Sequence, residues 1–190
     1  MQLWVGLGNP GPEYAMNRHN AGFMAIDAIA ATHRFSAPKK AFQGWVQDGR
    51  VGDAKVVALK PATYMNESGR AIRAAMDFYK LTPADVTVFH DELDLAPLKL
   101  KVKQGGGTAG QNGLKSAVAH IGPDFRRVRI GIGHPGHKDR VTGHVLSNWH
   151  KSEIDALSDL LGAIAAEAAW LAAGEDVRFM NDVALRLGDS

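Results

Sequence analysis

Short apolar runs alternate with helix-patterned segments along the chain, and no other feature narrows the fold so far. Strand signals fall at Gln2–Gly6, Gln43–Val51, Lys55–Leu59, Val86–His90 and Arg126–Ile132. Leu98, Leu100 and Val102 alternate with Lys99, Lys101 and Lys103, the period of a half-buried strand with one basic face. Between these runs, apolar residues recur at helical spacing over Ala21–Thr32, Ser68–Tyr79, Gly113–Ile121 and residues 152–171. Gly52-Asp53 stands between two strand signals and predicts a hairpin. This alternation predicts an α/β fold: a single α/β/α sandwich around a twisted, mixed, mostly parallel sheet. A length of 190 residues suits one domain over 1–190. In open sheets of this kind, ligands sit beyond the carboxyl ends of the strands. If the strands are parallel neighbours, Asn9, Met65-Asn66 and Asp91 gather at one edge.

Composition excludes several classes. Hydrophobic residues make up 45% and charged residues 22%, unlike a disordered chain. There is no cysteine, so disulfides and thiolate metal sites are excluded and no oxidising compartment is needed. No apolar run reaches membrane-spanning length, and Met1–Gly6 reads as a strand rather than a signal peptide. A cytoplasmic protein with no membrane partner is expected. The net charge of +2 conceals an asymmetry. Residues 1–149 hold 19 basic and 12 acidic side chains, whereas 150–190 hold three basic and eight acidic. Nine basic residues against two acidic ones over 99–140 suit a polyanion, or else form a solvated basic face.

Five motifs carry candidate chemistry. Gly6-Leu7-Gly8-Asn9-Pro10-Gly11 has the spacing of a dinucleotide fingerprint. Pro10 and Pro12 remove backbone donors where a helix would have to begin, so a nucleotide-dependent oxidoreductase is disfavoured. A rigid turn presenting Asn9 fits better. Arg18-His19-Asn20-Ala21-Gly22 supplies a histidine, the natural proton acceptor near neutral pH if a carboxylate fixes its tautomer. Asp91, in His90-Asp91-Glu92-Leu93-Asp94, is the best-placed carboxylate. That acidic run could instead bind a divalent cation, as in a phosphoesterase, but no other acidic cluster completes such a site. Within 60–69, Asn66 or Ser68 is expected as a helix cap, and an asparagine in a cleft also suits gripping a peptide backbone or a water. Five glycines within 105–113 allow close approach to a ligand and an anion nest. Asn112 beyond them is either a cap or a donor to an oxyanion. Arg129 needs a partner for its charge, phosphate among the options. His134, His137, His144 and His150 are expected to be exposed loop histidines, with no metal.

Together, VGLGNPGPEY, RHNAG, PATYMNESG, HDELDL, KVKQGGGTAGQNGLKS and RRVRIGIGHPG resemble the bacterial-type peptidyl-tRNA hydrolase family, in its order and over nearly the whole chain. The resemblance implies hydrolysis of the ester joining peptide to tRNA, which recycles tRNA during translation. It implies His19 as general base, Asp91 as its orienter, Asn9 near both, and Asn112 fixing water and the tetrahedral intermediate. Tyr14, Met65 and Asn66 would line the site, while Lys103 and Arg129 would grip the tRNA 5′-phosphate. It further implies a monomer with no cofactor, and a mobile cover formed by 134–150 and the following helix. This sequence departs from the family at Thr108 and Gln111, where histidines are common. Gln111 can hydrogen-bond but cannot titrate. The rival is a non-enzymatic RNA-binding protein on the same fold, which would need only the basic face.

Overall fold

The computed structural model describes residues 1–188, so the last two residues of the expected domain lie outside the described residues. The chain runs through β1 (Gln2–Gly6), α1 (Ala21–Thr32), β2 (Lys39–Ala41), β3 (Gly44–Val51) and β4 (Ala54–Pro61). It continues through α2 (Ser68–Phe78), β5 (Val86–Glu92), β6 (Leu100–Gln104), α3 (Asn112–Ile121) and β7 (Arg126–Gly131). The short α4 (Val141–Val145), α5 (Ile154–Ala172) and α6 (Asp176–Arg186) complete it.

One sheet is ordered β2-β3-β4-β1-β5-β7-β6. Its centre, β4-β1-β5-β7, is parallel, and the outer pairings are antiparallel. Alternating side chains of the buried strands feed two cores. Trp4 and Phe89 face the layer of α1, α5 and α6. Leu3, Val5, Val86 and Val88 face the layer of α2 and α3. This is the expected α/β/α sandwich. From β1 the chain builds one side of the sheet, then crosses through α2 to build the other from β5. The reversal opens a crevice at the carboxyl ends of β4, β1 and β5.

The expected hairpin forms as Val51 pairs with Ala54 across Gly52, which takes a φ of 58°. Other expectations are corrected. The strand expected to stop at His90 continues to Glu92, because Asp91 and Glu92 pair with Ile130 and Gly131. Asp91 therefore lies on the sheet, not after it. Neither Asn66 nor Ser68 caps α2 through its side chain, and the Ser68 hydroxyl donates to the Met65 carbonyl instead. Residues 133–150, expected as loop, contain a 3-10 turn and α4. Two elements were not anticipated. Strand β2 is three largely exposed residues that gain regularity only by pairing with β3. Helix α6 buries just Phe179 and Val183, too sparse a stripe to read at helical period.

The close approach of α1 to the sheet positions everything that follows. A Cβ on Gly22 would stand 2.2 Å from the Phe89 carbonyl oxygen and 2.6 Å from the Leu7 nitrogen. A Cβ on Gly6 would meet the Gly22 carbonyl oxygen at 2.4 Å. The helix thus rests backbone on backbone against β1 and β5. Gly22→Ala is expected to cost about 1–3 kcal/mol through overpacking, measured by urea unfolding. An unchanged midpoint would show that α1 can shift freely.

Candidate active site

The crevice holds a cavity of about 250 Å³. A 3-10 turn, Arg18–Asn20, delivers His19 to its floor just before α1. His19 Nδ1 lies 2.7 Å from Asp91 Oδ2, and their side chains are 9% and 2% exposed. A carboxylate can only accept, so this contact places the proton on Nδ1 and leaves the Nε2 lone pair as a base. The other carboxylate oxygen, Oδ1, accepts from Gln111 Nε2 at 2.9 Å. Both oxygens of the buried acid are therefore satisfied.

Asn9, beyond β1, is held from two sides. Its backbone N–H donates to Asn20 Oδ1 at 2.9 Å, and its carbonyl accepts from Asn20 Nδ2 at 3.0 Å. Its side-chain Oδ1 accepts the Met65 N–H at 2.8 Å. The oxygen being engaged, Asn9 presents its amide Nδ2, a donor, to the cavity. Asn66 and Asn112 line the same cavity and are exposed. The cap of α3 is Gln111, whose Oε1 accepts from the Leu114 N–H, so Asn112 is free of capping.

Tyr14 does not line this cavity, whereas Tyr64, 60% exposed, does. Lys103 and Arg129 line a separate, neighbouring cavity of about 210 Å³ with His90 and Arg127. Glu92 belongs to the walls of both. The partner of Arg129 is this Glu92, 2.9 Å from Nε to Oε1. Arg127 sits 4.4 Å over the Phe125 ring and donates to the carbonyls of Gly107 and Pro123. The glycine-rich loop thus turns one carbonyl toward a cation, unlike a nest of N–H groups alone. Burial, opposed in part by its hydrogen bond to the Asp91 carbonyl, lowers the pKa of His90 and keeps this imidazole neutral.

The acids of the 90–94 run diverge. Asp91 turns to His19 and Gln111, Glu92 to Arg129 and the Asp94 N–H. Among the described residues no group of three or more His, Asp or Glu converges to hold a metal ion. His134, His137 and His150 are exposed, but His144 is half-buried, its Nε2 3.0 Å from the Ile132 carbonyl.

Sequence reasoning passed over Asn20, Gln111 and Arg18 as working residues. Only the run of polar side chains around His19 hinted at the first and last. Arg18 is buried, 5.6 Å over the Trp149 ring. It donates to Ser147 Oγ and the Asn148 carbonyl and pairs with Glu153 at 3.2 Å. The segment after α4 is thereby tied to the residue next to His19, and Val141, Val145 and Leu146 form an apolar wall over the cavity.

The profile described as peptidyl-tRNA hydrolase matches residues 3–188. The peptidyl-tRNA hydrolase of Sphingopyxis alaskensis is 72% identical over 98% of this chain and 99% of its own. That of Rhizorhabdus wittichii is 68% identical over 100% of both. A crystal structure of peptidyl-tRNA hydrolase from Acinetobacter baumannii superposes with a TM-score of 0.90 at 40% identity, covering 96% of this chain and 94% of that one.

Arg18→Met keeps an apolar stem on Trp149 and removes the polar ties. It is expected to destabilise the protein by about 1–3 kcal/mol and to speed amide exchange over 141–150 first. Uniform exchange across the chain would show that Arg18 does not anchor this segment.

Proposed function

Because the chain belongs to the peptidyl-tRNA hydrolase family and hydrolyses the ester between peptide and tRNA, we propose that His19 is its general base. The observation that carries this is the buried 2.7 Å contact from His19 Nδ1 to Asp91, which leaves Nε2 as acceptor at a cavity. Nε2 takes a proton from a water as its oxygen attacks the ester carbonyl carbon. The Asp91 carboxylate stabilises the imidazolium that forms. The Asn9 amide and Asn112 donate to the developing oxyanion. As the intermediate collapses, the imidazolium returns its proton to the departing ribose oxygen. The products are a tRNA with a free hydroxyl and a peptide carboxylic acid, which loses its remaining proton to solvent. An ester needs no serine or cysteine nucleophile and no cofactor for this route. A base contributes roughly 10²–10⁴-fold and an oxyanion donor roughly 10²–10³-fold.

Met65 and Asn66 hold the peptide, and residues 134–150 with the start of α5 cover it. Lys103 and Arg129 take the tRNA 5′-phosphate in the neighbouring cavity, where Arg127 adds charge. Tyr14, whose backbone N–H donates to the Gly11 carbonyl, lies outside the cavity. The enzyme works as a cytoplasmic monomer. Among the described residues no helix is long and apolar enough to cross a membrane. A pure RNA-binding protein would not need a neutral base and amide donors collected at one cavity.

His19→Ala is expected to lower kcat/KM at least about a hundredfold. The measurement is tRNA release from an N-acetylaminoacyl-tRNA with chelator present. A folded His19→Ala variant with wild-type rate would exclude His19 as base. Lys103→Ala and Arg129→Ala are each expected to raise KM and to flatten the salt dependence of KM by about one ion. An unaltered salt slope would place the phosphate elsewhere.

A further inference from the structure

We infer that Gln111 is a positioning residue for the hydrolysis, holding the Asp91 carboxylate that orients His19; this rests on the assignment of His19 as general base. Gln111 is 7% exposed and uses both ends of its amide. Nε2 donates to Asp91 Oδ1 at 2.9 Å and points to Met65 Sδ at 3.4 Å. Oε1 accepts the Leu114 N–H at 2.8 Å, capping α3. The amide cannot be reversed without loss, because Leu114 offers a donor and Asp91 an acceptor. The first turn of α3 therefore dictates that a donor faces Asp91.

The consequence is a closed ring of contacts. His19 binds Asp91, Asp91 binds Gln111, and Gln111 touches Met65. Met65 binds Asn9, Asn9 binds Asn20, and Asn20 is covalently next to His19. Five separate stretches of chain lock one another. Gln111 is the link that fixes the rotation of the Asp91 carboxylate, since His19 alone holds one oxygen and would let the other swing. Its donor also spreads the carboxylate charge over both oxygens. Without it, charge concentrates on Oδ2 and the bond to His19 Nδ1–H changes. An amide gives this support at any pH, because it has no proton to lose.

Capping and positioning can be separated. Gln111→Asn retains a good helix cap but is one methylene too short to reach Asp91 as well. Gln111→Met fills the space and loses both functions. If Gln111 positions Asp91, Gln111→Asn stays folded, with a modest fall in thermal stability from the unpaired Asp91 Oδ1, while kcat falls about tenfold to a hundredfold, the range for one hydrogen bond to a charged group. KM stays near wild type, and the His19 Nδ1–H proton resonance moves in both variants. Full kcat in Gln111→Asn would reduce Gln111 to a cap, and a loss of kcat with the resonance unmoved would make the effect one of loop structure; either overturns the inference. The resonance reports on His19 without turnover. A moved resonance in the Gln111 variants together with an active His19→Ala would sink the general-base assignment instead.

Discussion

The hydrogen bond between His19 and Asp91 joins residues 72 positions apart and gives the crevice its chemistry. It is a demanding contact. A carboxylate 2% exposed has lost its water, and each of its oxygens needs a donor in the protein. His19 supplies one and Gln111 the other. His19 could not do so unless α1 lay directly on the strands, and Gly6 and Gly22 make that approach possible by having no side chain at the contact. A packing detail in the helix–sheet interface thus sets the geometry of the His19–Asp91 pair.

Two cavities adjoin in the crevice. One holds the His19 imidazole and the amides of Asn9 and Asn112, suited to a reaction that passes through an oxyanion. The other is walled by Lys103, Arg127 and Arg129, suited to an anion that is only held. Glu92 stands between them and pairs with Arg129, which keeps that guanidinium aimed and tempers its charge. The separation suits a substrate that must be recognised at its tRNA end and cut at its peptide end.

Rigidity is distributed to match. The ring running through Asp91, Gln111, Met65 and Asn9 rests on parallel strands and a helix start, elements that do not rearrange cheaply. The segment beside the cavity relies on a different device. Arg18, stacked on Trp149 and bonded to three residues of 147–153, ties one end of that segment. Gly133 and Gly136, at φ of 71° and 90°, turn the chain at the other end, where the Gly133 N–H donates to the Leu95 carbonyl.

Much of this was legible before any coordinates. Strand and helix periods are local, so alternation alone determined an α/β sandwich, and the hairpin at Gly52 followed from turn chemistry. The residues His19, Asp91, Asn9 and Asn112 stood out because their types suit ester hydrolysis and their motifs resemble one family. What the sequence could not show was pairing. Arg129 was matched to phosphate, yet in the fold it also meets Glu92, two strands brought into register by the sheet. Tyr14 belonged by motif to the cavity wall, and the chain instead places Tyr64 there. Gln111 looked like a departure from a pattern, and tertiary structure makes it the second support of Asp91. Residue type and spacing determine which groups a chain can offer. Only the packing of α1, α3 and β5 decides which of them meet, because a hydrogen bond depends on ångströms between segments that sequence separates by tens of residues.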